Sequence, residues 1–235
     1  MLKPEEDFMK LRHILPSLAT IALLTACSAQ VDAAADAAKE TANNAGDMAA
    51  KTAAAATPGA DIKTLPSGVY KSEATHAYIA FSYLHQGYSK PILTWDKFDA
   101  TVTLDTDAPE SSSVAVTIDT ASIDGGSDIW NDHLMSADWF DAAAHPTITF
   151  NSTNVNQSIL GGGTLTGDLT IKGVSHPVTL DVKLNKVGEH FRSKKQMFGI
   201  SATGKLKRAD FGLDKYISTG ADVDLMIEIE FQKEG

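Results

Sequence analysis

Apolar and polar residues alternate at every second position along much of this chain, most clearly over residues 161–184. There Leu165, Leu169 and Ile171 fall on one side of an extended chain, while Thr164 and its polar neighbours fall on the other. Successive side chains of a β-strand point to opposite faces, so this spacing predicts a strand with one buried face.

The alternation breaks at Gly173 and resumes from Val178 to Leu184. Glycine permits a positive φ, and Pro177 can end a turn because no backbone donor is needed there. The break therefore predicts a β-hairpin. Two long strands, each apolar on one face, need further strands to cover that face.

The rest of the chain after residue 68 supplies such strands. Similar runs occur at residues 69–71, 77–83, 98–104, 114–118, 148–150, 198–206 and 223–231. About eight antiparallel strands with one apolar face each predict an all-β fold, either a sandwich or a barrel. Residues 128–141 lack the alternation, and we predict one or two short helical turns there.

The N-terminus has the pattern of an export signal. Lys10 and Arg12 precede an apolar run, residues 14–24, which is too short to span a bilayer. The run ends in Leu24-Thr25-Ala26-Cys27, which matches the bacterial lipobox. We therefore predict a signal peptide at residues 1–26 and a lipidated Cys27. A plain secretory signal that carries a cysteine is the alternative.

The segment after Cys27 differs in composition from the rest. Up to Pro66 it is rich in alanine and lacks an aromatic residue or a large apolar stripe, so a helix here would be marginal. We predict a flexible tether at residues 27–66 and one folded domain at residues 67–235. By similarity to known bacterial lipoproteins, Ser28 favours a periplasm-facing protein anchored to the outer membrane.

Composition excludes some classes of partner. The formal net charge of −10 argues against nucleic acid, which needs clustered lysine and arginine. Cys27 is the single cysteine, so neither an intramolecular disulfide nor a multi-thiolate metal site is expected.

Several motifs give the chain a resemblance to a known family. They are residues 131–141 (NDHLMSADWFD), 145–150 (HPTITF), 167–180 (GDLTIKGVSHPVTL) and 208–213 (RADFGL). In this order they resemble the YceI-like family over about residues 68–231. The resemblance implies an eight-stranded, antiparallel, lipocalin-like β-barrel with a short helical insert. It also implies that a long-chain isoprenoid or other amphiphilic lipid binds in the interior.

The resemblance and the alternation together predict which residues line the interior. We expect six aromatic side chains to contact the ligand, and we expect Trp139, where the family has phenylalanine, to lie at the mouth of the barrel. The six are Phe81, Phe98, Trp130, Trp139, Phe150 and Phe198.

No motif for catalysis or for a cofactor is found. The chain lacks a Gly-x-Ser-x-Gly, a P-loop and a Gly-x-Gly-x-x-Gly sequence, and its histidines do not occur at metal-ligand spacing. We therefore expect a lipid carrier or reservoir without a cofactor or metal. A periplasmic enzyme or redox accessory using Asp132 and His133 on a lipid, and a structural lipoprotein without ligand, are the alternatives. A homodimer is compatible with the sequence.

Overall fold

A computed structural model describes residues 60–158 and 162–235. The predicted signal peptide, Cys27 and most of the predicted tether lie outside the described residues. Within the described ranges there is no helix with the length and apolar character that a membrane crossing requires.

Ten β-strands and one α-helix account for most of the described residues. They are β1 (Gly68–Tyr83), β2 (Ile92–Trp95), β3 (Phe98–Leu104), β4 (Ser113–Asp119), β5 (Ile123–Asp124), α1 (Asp128–Met135), β6 (Thr147–Ser158), β7 (Gly162–Ile171), β8 (Val174–Glu189), β9 (Gln196–Lys207) and β10 (Asp222–Lys233).

Eight of these strands close into a barrel. The hydrogen-bonded order is β1-β3-β4-β6-β7-β8-β9-β10, and β10 pairs back with β1, with antiparallel pairing throughout. The short strands β2 and β5 continue β3 and β4 beyond two bends, since β2 pairs with both β1 and β5. The prediction of an eight-stranded antiparallel barrel with a short helical insert is therefore confirmed.

The inward faces follow the predicted alternation. Val178, Leu180 and Leu184 of β8 are buried, as are Val223 and Phe231 of β10. Their neighbours in sequence are more exposed. The interior is therefore formed by the residues that the period of two assigned to it.

The hairpin between β7 and β8 turns earlier than predicted. Lys172 and Gly173 both have positive φ, 52° and 77°, so two residues suffice for the turn. Pro177 does not end the turn. It lies within β8 opposite Asp168. Pairing of β8 with β9 begins only at Leu180, so the missing N–H of Pro177 leaves no gap in the ladder.

The two ends of the barrel are covered differently. We call the end that carries α1 and the segments 84–91, 136–146 and 208–221 the helix end. The other end, with segments 60–67, 105–112 and 190–195, we call the open end.

Helix α1 is short and capped at both termini. Ser127 accepts a bond from the backbone N–H of Trp130, and Ser136 Oγ donates to the His133 carbonyl.

The packed domain begins earlier than residue 67. Ile62 and Leu65 are 7% and 4% exposed and belong to the same apolar cluster as Tyr70. The Tyr70 hydroxyl donates to the Pro66 carbonyl at 2.7 Å. Residues 62–66, which we had assigned to the tether, are therefore part of the barrel's packing, because both apolar side chains find a surface to cover.

Candidate functional site

The barrel encloses a cavity of about 230 Å³. Inward-facing side chains from all eight strands of the ring contribute to its wall, which is built almost wholly from valine, leucine, isoleucine, alanine and phenylalanine. Among the described lining residues there is no charged side chain. A charge would lose its hydration in such a site, so the cavity suits an uncharged, apolar guest.

Residues of polar type border the cavity only at the open end. Among the described residues they are Ser112 just before β4, Asn156 near the end of β6 and Thr164 near the start of β7. Asn156 and Thr164 are paired one residue beyond the inward pair Val155 and Leu165, so their side chains point outward and their backbone borders the cavity. Pro109 and Gly162 also line this end. A guest with an apolar chain and a small polar head would therefore meet polar groups, mainly backbone groups and the Ser112 hydroxyl, only at this end.

Trp95 forms the floor of the cavity toward the helix end. Its ring stacks on Phe81 with centroids 4.7 Å apart and meets Phe140 edge-on at 5.6 Å. Among the described residues, no group accepts a hydrogen bond from the buried Trp95 Nε1. The rings of Phe81 and Phe140 fill the barrel below Trp95, and together with Trp95 they close the cavity on that side.

Beyond this floor the helix end is sealed by a buried arginine and its aromatic neighbours. Arg208 donates to the carbonyls of Gly220 and Lys215 at 2.8 and 2.7 Å, and its guanidinium lies 4.5 Å from the Trp139 ring centroid. Trp139 also stacks on Tyr216. Burial lowers the pKa of the Arg208 guanidinium. Through its two hydrogen bonds to backbone carbonyls, Arg208 holds the loop at 208–221 over the barrel.

The structure places the six aromatic residues predicted to bind ligand at different depths. Phe150 and Phe198 line the cavity. Phe81 packs below the floor, and Phe98 is half-buried between the two apolar clusters of the interior. Trp130 and Trp139 lie in the seal at the helix end, with ring centroids 5.7 Å apart. Among the described lining residues, only Phe150 and Phe198 of the six are found.

Trp139 therefore does not lie at the mouth, where we expected it. It is 7% exposed, and its ring packs against Arg208 and Tyr216. The polar edge of the cavity is at the opposite end of the barrel. The expectation failed because Trp139 packs at the end that α1 covers, whereas the cavity extends from Trp95 toward the other end.

The six residues predicted to bind ligand leave out several that line the cavity. Trp95, Val182 and Ala202 all line the cavity, and Ala202 lies opposite Val182 in the β8–β9 pair. Val182 and Ala202 carry the same alternation signal as their neighbours and could have been found from it. Trp95 could not, because four residues of β2 are too few to show a period.

His133, one of the two acid and base candidates, packs among aromatic rings of the seal. The His133 ring stacks on Trp130 at 5.3 Å and meets Trp139 at 5.9 Å, which explains its position without chemistry. In residues 60–158 and 162–235, no group of three or more histidine, cysteine or acidic side chains is placed to hold a metal ion. Desolvation by burial raises the pKa of the Tyr83 hydroxyl at the helix end, so this hydroxyl is neutral at neutral pH.

Comparison with known proteins gives a family. The model of the YceI-like domain matches residues 70–231. Protein YceI from Escherichia coli is 39% identical over 161 residues, which are 67% of this chain and 82% of that protein.

Two solved structures have the same fold. The crystal structure of Burkholderia cenocepacia BcnA is 26% identical with a TM-score of 0.61, and the match covers 68% of this chain and 98% of that one. A polyisoprenoid binding domain from Saccharophagus degradans is 14% identical with a TM-score of 0.54, covering 70% and 98%. The fold, the order of the motifs and these matches agree, and the chain belongs to the YceI-like domain family.

Proposed function

We propose that this protein binds a long-chain isoprenoid, such as an isoprenoid quinone, inside its barrel and stores or carries it in the periplasm. The observation that carries the proposal is the cavity wall, which has no charged side chain among the described lining residues and is bordered by polar residues only at the open end. In this proposal the protein is a binding protein and not an enzyme.

The energetics favour a long apolar chain. Each methylene moved from water into the cavity gains about 0.8 kcal/mol, so a chain that threads the barrel binds usefully without an ionic anchor. A branched isoprenoid offers more apolar surface per unit length than a straight chain. The wall of branched aliphatic side chains can pack against that surface.

The head group belongs at the open end. Of the residues there, Ser112 carries a hydroxyl that can exchange a hydrogen bond with a carbonyl or a hydroxyl. Acidic residues, Asp105 and Asp107, lie on the adjoining β3–β4 hairpin and do not favour a strongly anionic head. Among isoprenoids we therefore favour those with a neutral head. The Saccharophagus degradans domain, which shares the fold, is described as polyisoprenoid binding, and this supports the ligand class.

Native mass spectrometry of protein purified from cells without detergent tests the proposal. We expect a bound mass that organic extraction removes and identifies as an isoprenoid lipid. A protein that carries no adduct, and that also fails to bind a fluorescent isoprenoid analogue in titration, would contradict it.

We further propose that Cys27 is lipidated and anchors the domain to the outer membrane facing the periplasm. Stable anchoring needs more than one acyl chain, which a lipidated N-terminal cysteine provides. Cys27→Ser should move the protein from the membrane pellet to the soluble periplasmic fraction. A variant that still sediments with membranes and resists salt extraction would show that another element anchors it. Homodimerisation remains a prediction.

A further inference from the structure

The β8–β9 hairpin ends in a tip that differs in charge from the rest of the protein. Residues 190–195 read His-Phe-Arg-Ser-Lys-Lys, which places three cations within six residues of a chain whose net charge is −10. Phe191 at this tip is 75% exposed. We call residues 190–195 the basic tip.

The basic tip is a fixed turn. The His190 N–H donates to the Lys195 carbonyl at 2.8 Å, and the Lys194 N–H donates to the His190 carbonyl at 2.9 Å. His190 Nδ1 accepts from the Ser193 N–H at 3.0 Å. The fold therefore holds Phe191 outward, and the Arg192 guanidinium lies 5.6 Å from its ring centroid.

The cations of the tip are largely free to meet an outside partner. Lys194 pairs with Glu189 at 3.2 Å, and in the part of the chain that the structure describes it is the one cation of the tip with an ion-pair partner. An exposed aromatic ring flanked by cations is the side-chain combination found at membrane surfaces, where the ring enters the interface and the cations meet lipid phosphates.

The position of the basic tip on the barrel indicates a function for this surface. The tip belongs to the open end, where the polar residues of the cavity lie. The 3₁₀ helix Ile62–Thr64, through which the chain enters the domain, packs against β8. The chain entry, the polar border of the cavity and the basic tip therefore share one end of the barrel, and the chain entry packs against the strand that leads into the tip.

We propose that the basic tip docks the open end of the barrel on an anionic phospholipid bilayer, with Phe191 inserted and Arg192 and Lys195 on the lipid phosphates. The docking itself needs no cargo; its use, transfer of a lipid between bilayer and cavity, rests on the proposed function.

The same geometry predicts a tilted approach. In the ring of eight strands the β3–β4 hairpin lies opposite the β8–β9 hairpin. Its tip carries Asp105, Asp107 and Glu110, which an anionic surface repels. The β8–β9 side of the open end therefore approaches the bilayer, and the β3–β4 side is held away from it.

A dye attached at one hairpin or the other tests both claims. Because Cys27 is the single cysteine, the full chain with Cys27→Ser can carry one new thiol, Ser193→Cys in the basic tip or Ser111→Cys in the opposite hairpin. Both positions are exposed. Each thiol is labelled with an environment-sensitive fluorophore and mixed with vesicles of phosphatidylcholine, with or without phosphatidylglycerol. Residues 1–59 are common to both chains, so any binding through them affects the two labels alike.

We expect a blue shift at position 193 with the anionic vesicles only, and none at position 111. Adding Arg192→Gln and Lys195→Gln should weaken the partition about 25-fold, because each cation near an anionic surface contributes about fivefold. Raising the salt to about 1 M, where the screening length falls to about 3 Å, should abolish the shift. Phe191→Ser should reduce the shift at position 193 without changing its salt dependence.

A response at position 193 that is equal for zwitterionic vesicles, a response at both positions, or none at either would overturn the proposal. So would binding of the tip to an acidic protein with no shift on vesicles. Titration of the same chains with an isoprenoid analogue in the absence of vesicles reports separately on the proposed function. We expect the tip variants to bind the analogue as the parent does, since the tip residues are not among the described residues that line the cavity.

Discussion

Filling the cavity from one wall position should weaken ligand binding more than a hundredfold without harming the fold. Ala202 of β9 is 3% exposed and lines the cavity, with Val182 on one neighbouring strand and Ile227 on the other. In Ala202→Phe, the new ring projects into the space of about 230 Å³ that the ligand is proposed to occupy. The backbone of β9 need not move to admit it.

The size of the effect follows from the apolar chain that the ring displaces. A phenyl ring takes the place of about four or five methylene groups, and each lost contact costs about 0.8 kcal/mol. Binding should therefore weaken by about 3–4 kcal/mol, which is more than a hundredfold in Kd. Stability should stay near that of the parent, because the ring enters open space. In a solidly packed interior the same change would cost about 1–3 kcal/mol.

Titration with a fluorescent isoprenoid analogue, together with urea unfolding, measures both quantities. Ala115→Phe is the matched control, since Ala115 lies on β4 and is exposed on the outer face. That variant should bind as the parent does. If Ala202→Phe bound the analogue with unchanged affinity, the ligand would lie outside the barrel. If it unfolded at much lower urea, the interior would be packed and the reasoning refuted.

Three further substitutions test the packing of the barrel interior, the seal at the helix end and the ion pairs of Asp224 on the surface. Gly167→Ala should destabilise the barrel by about 1–3 kcal/mol in urea unfolding, because a Cβ there would meet the Phe150 ring and overpack the interior. Trp139→Ala should cost about 3–5 kcal/mol of stability yet leave isoprenoid affinity within about twofold, since its ring packs in the seal at the helix end. Hydrogen bonds from Lys205 and Lys90 lower the pKa of Asp224, so its stabilising effect is present above the ordinary value of 3.8 and is lost as the pH falls through the lower folded value. Asp224→Asn should therefore flatten the acid side of a plot of Tm against pH, and an unchanged acid side would show that the ion pairs are not formed.

The strands and their inward faces could be predicted from the sequence because alternation is a local property. The run at Val223 to Phe231 shows this: a period of two assigns each side chain to one face, and the assignment holds unless a bulge intervenes. The closed ring could not be obtained this way. It depends on β10 pairing with β1, a contact between the two ends of the domain, and the family resemblance provided it.

Alternation predicts which face of a strand carries a side chain, but it does not predict the position of that side chain along the barrel axis. Phe81 and Ile79 share a face of β1, yet Ile79 lines the cavity and Phe81 packs beneath Trp95. The period gives a direction for each side chain, and only the tertiary structure decides whether that direction ends in the cavity or in a sealed end. The same limit affected Trp139, whose motif correctly predicted a helical insert but gave no sign of which end of the barrel would open.

Aromatic residues were a poor guide to the cavity for a physical reason. A large ring fills space, and several rings lie at the two ends of the cavity: Trp95 and Phe140 at the floor, and the stacked pair Phe198 and Phe231 toward the open end. Between these groups the wall is mainly aliphatic, and open volume remains because side chains such as Ala202 are too small to meet across it. The ligand site of a small barrel is therefore better sought among small and aliphatic inward positions, and the girth of the lipid that fits should depend on those residues more than on the rings at the ends.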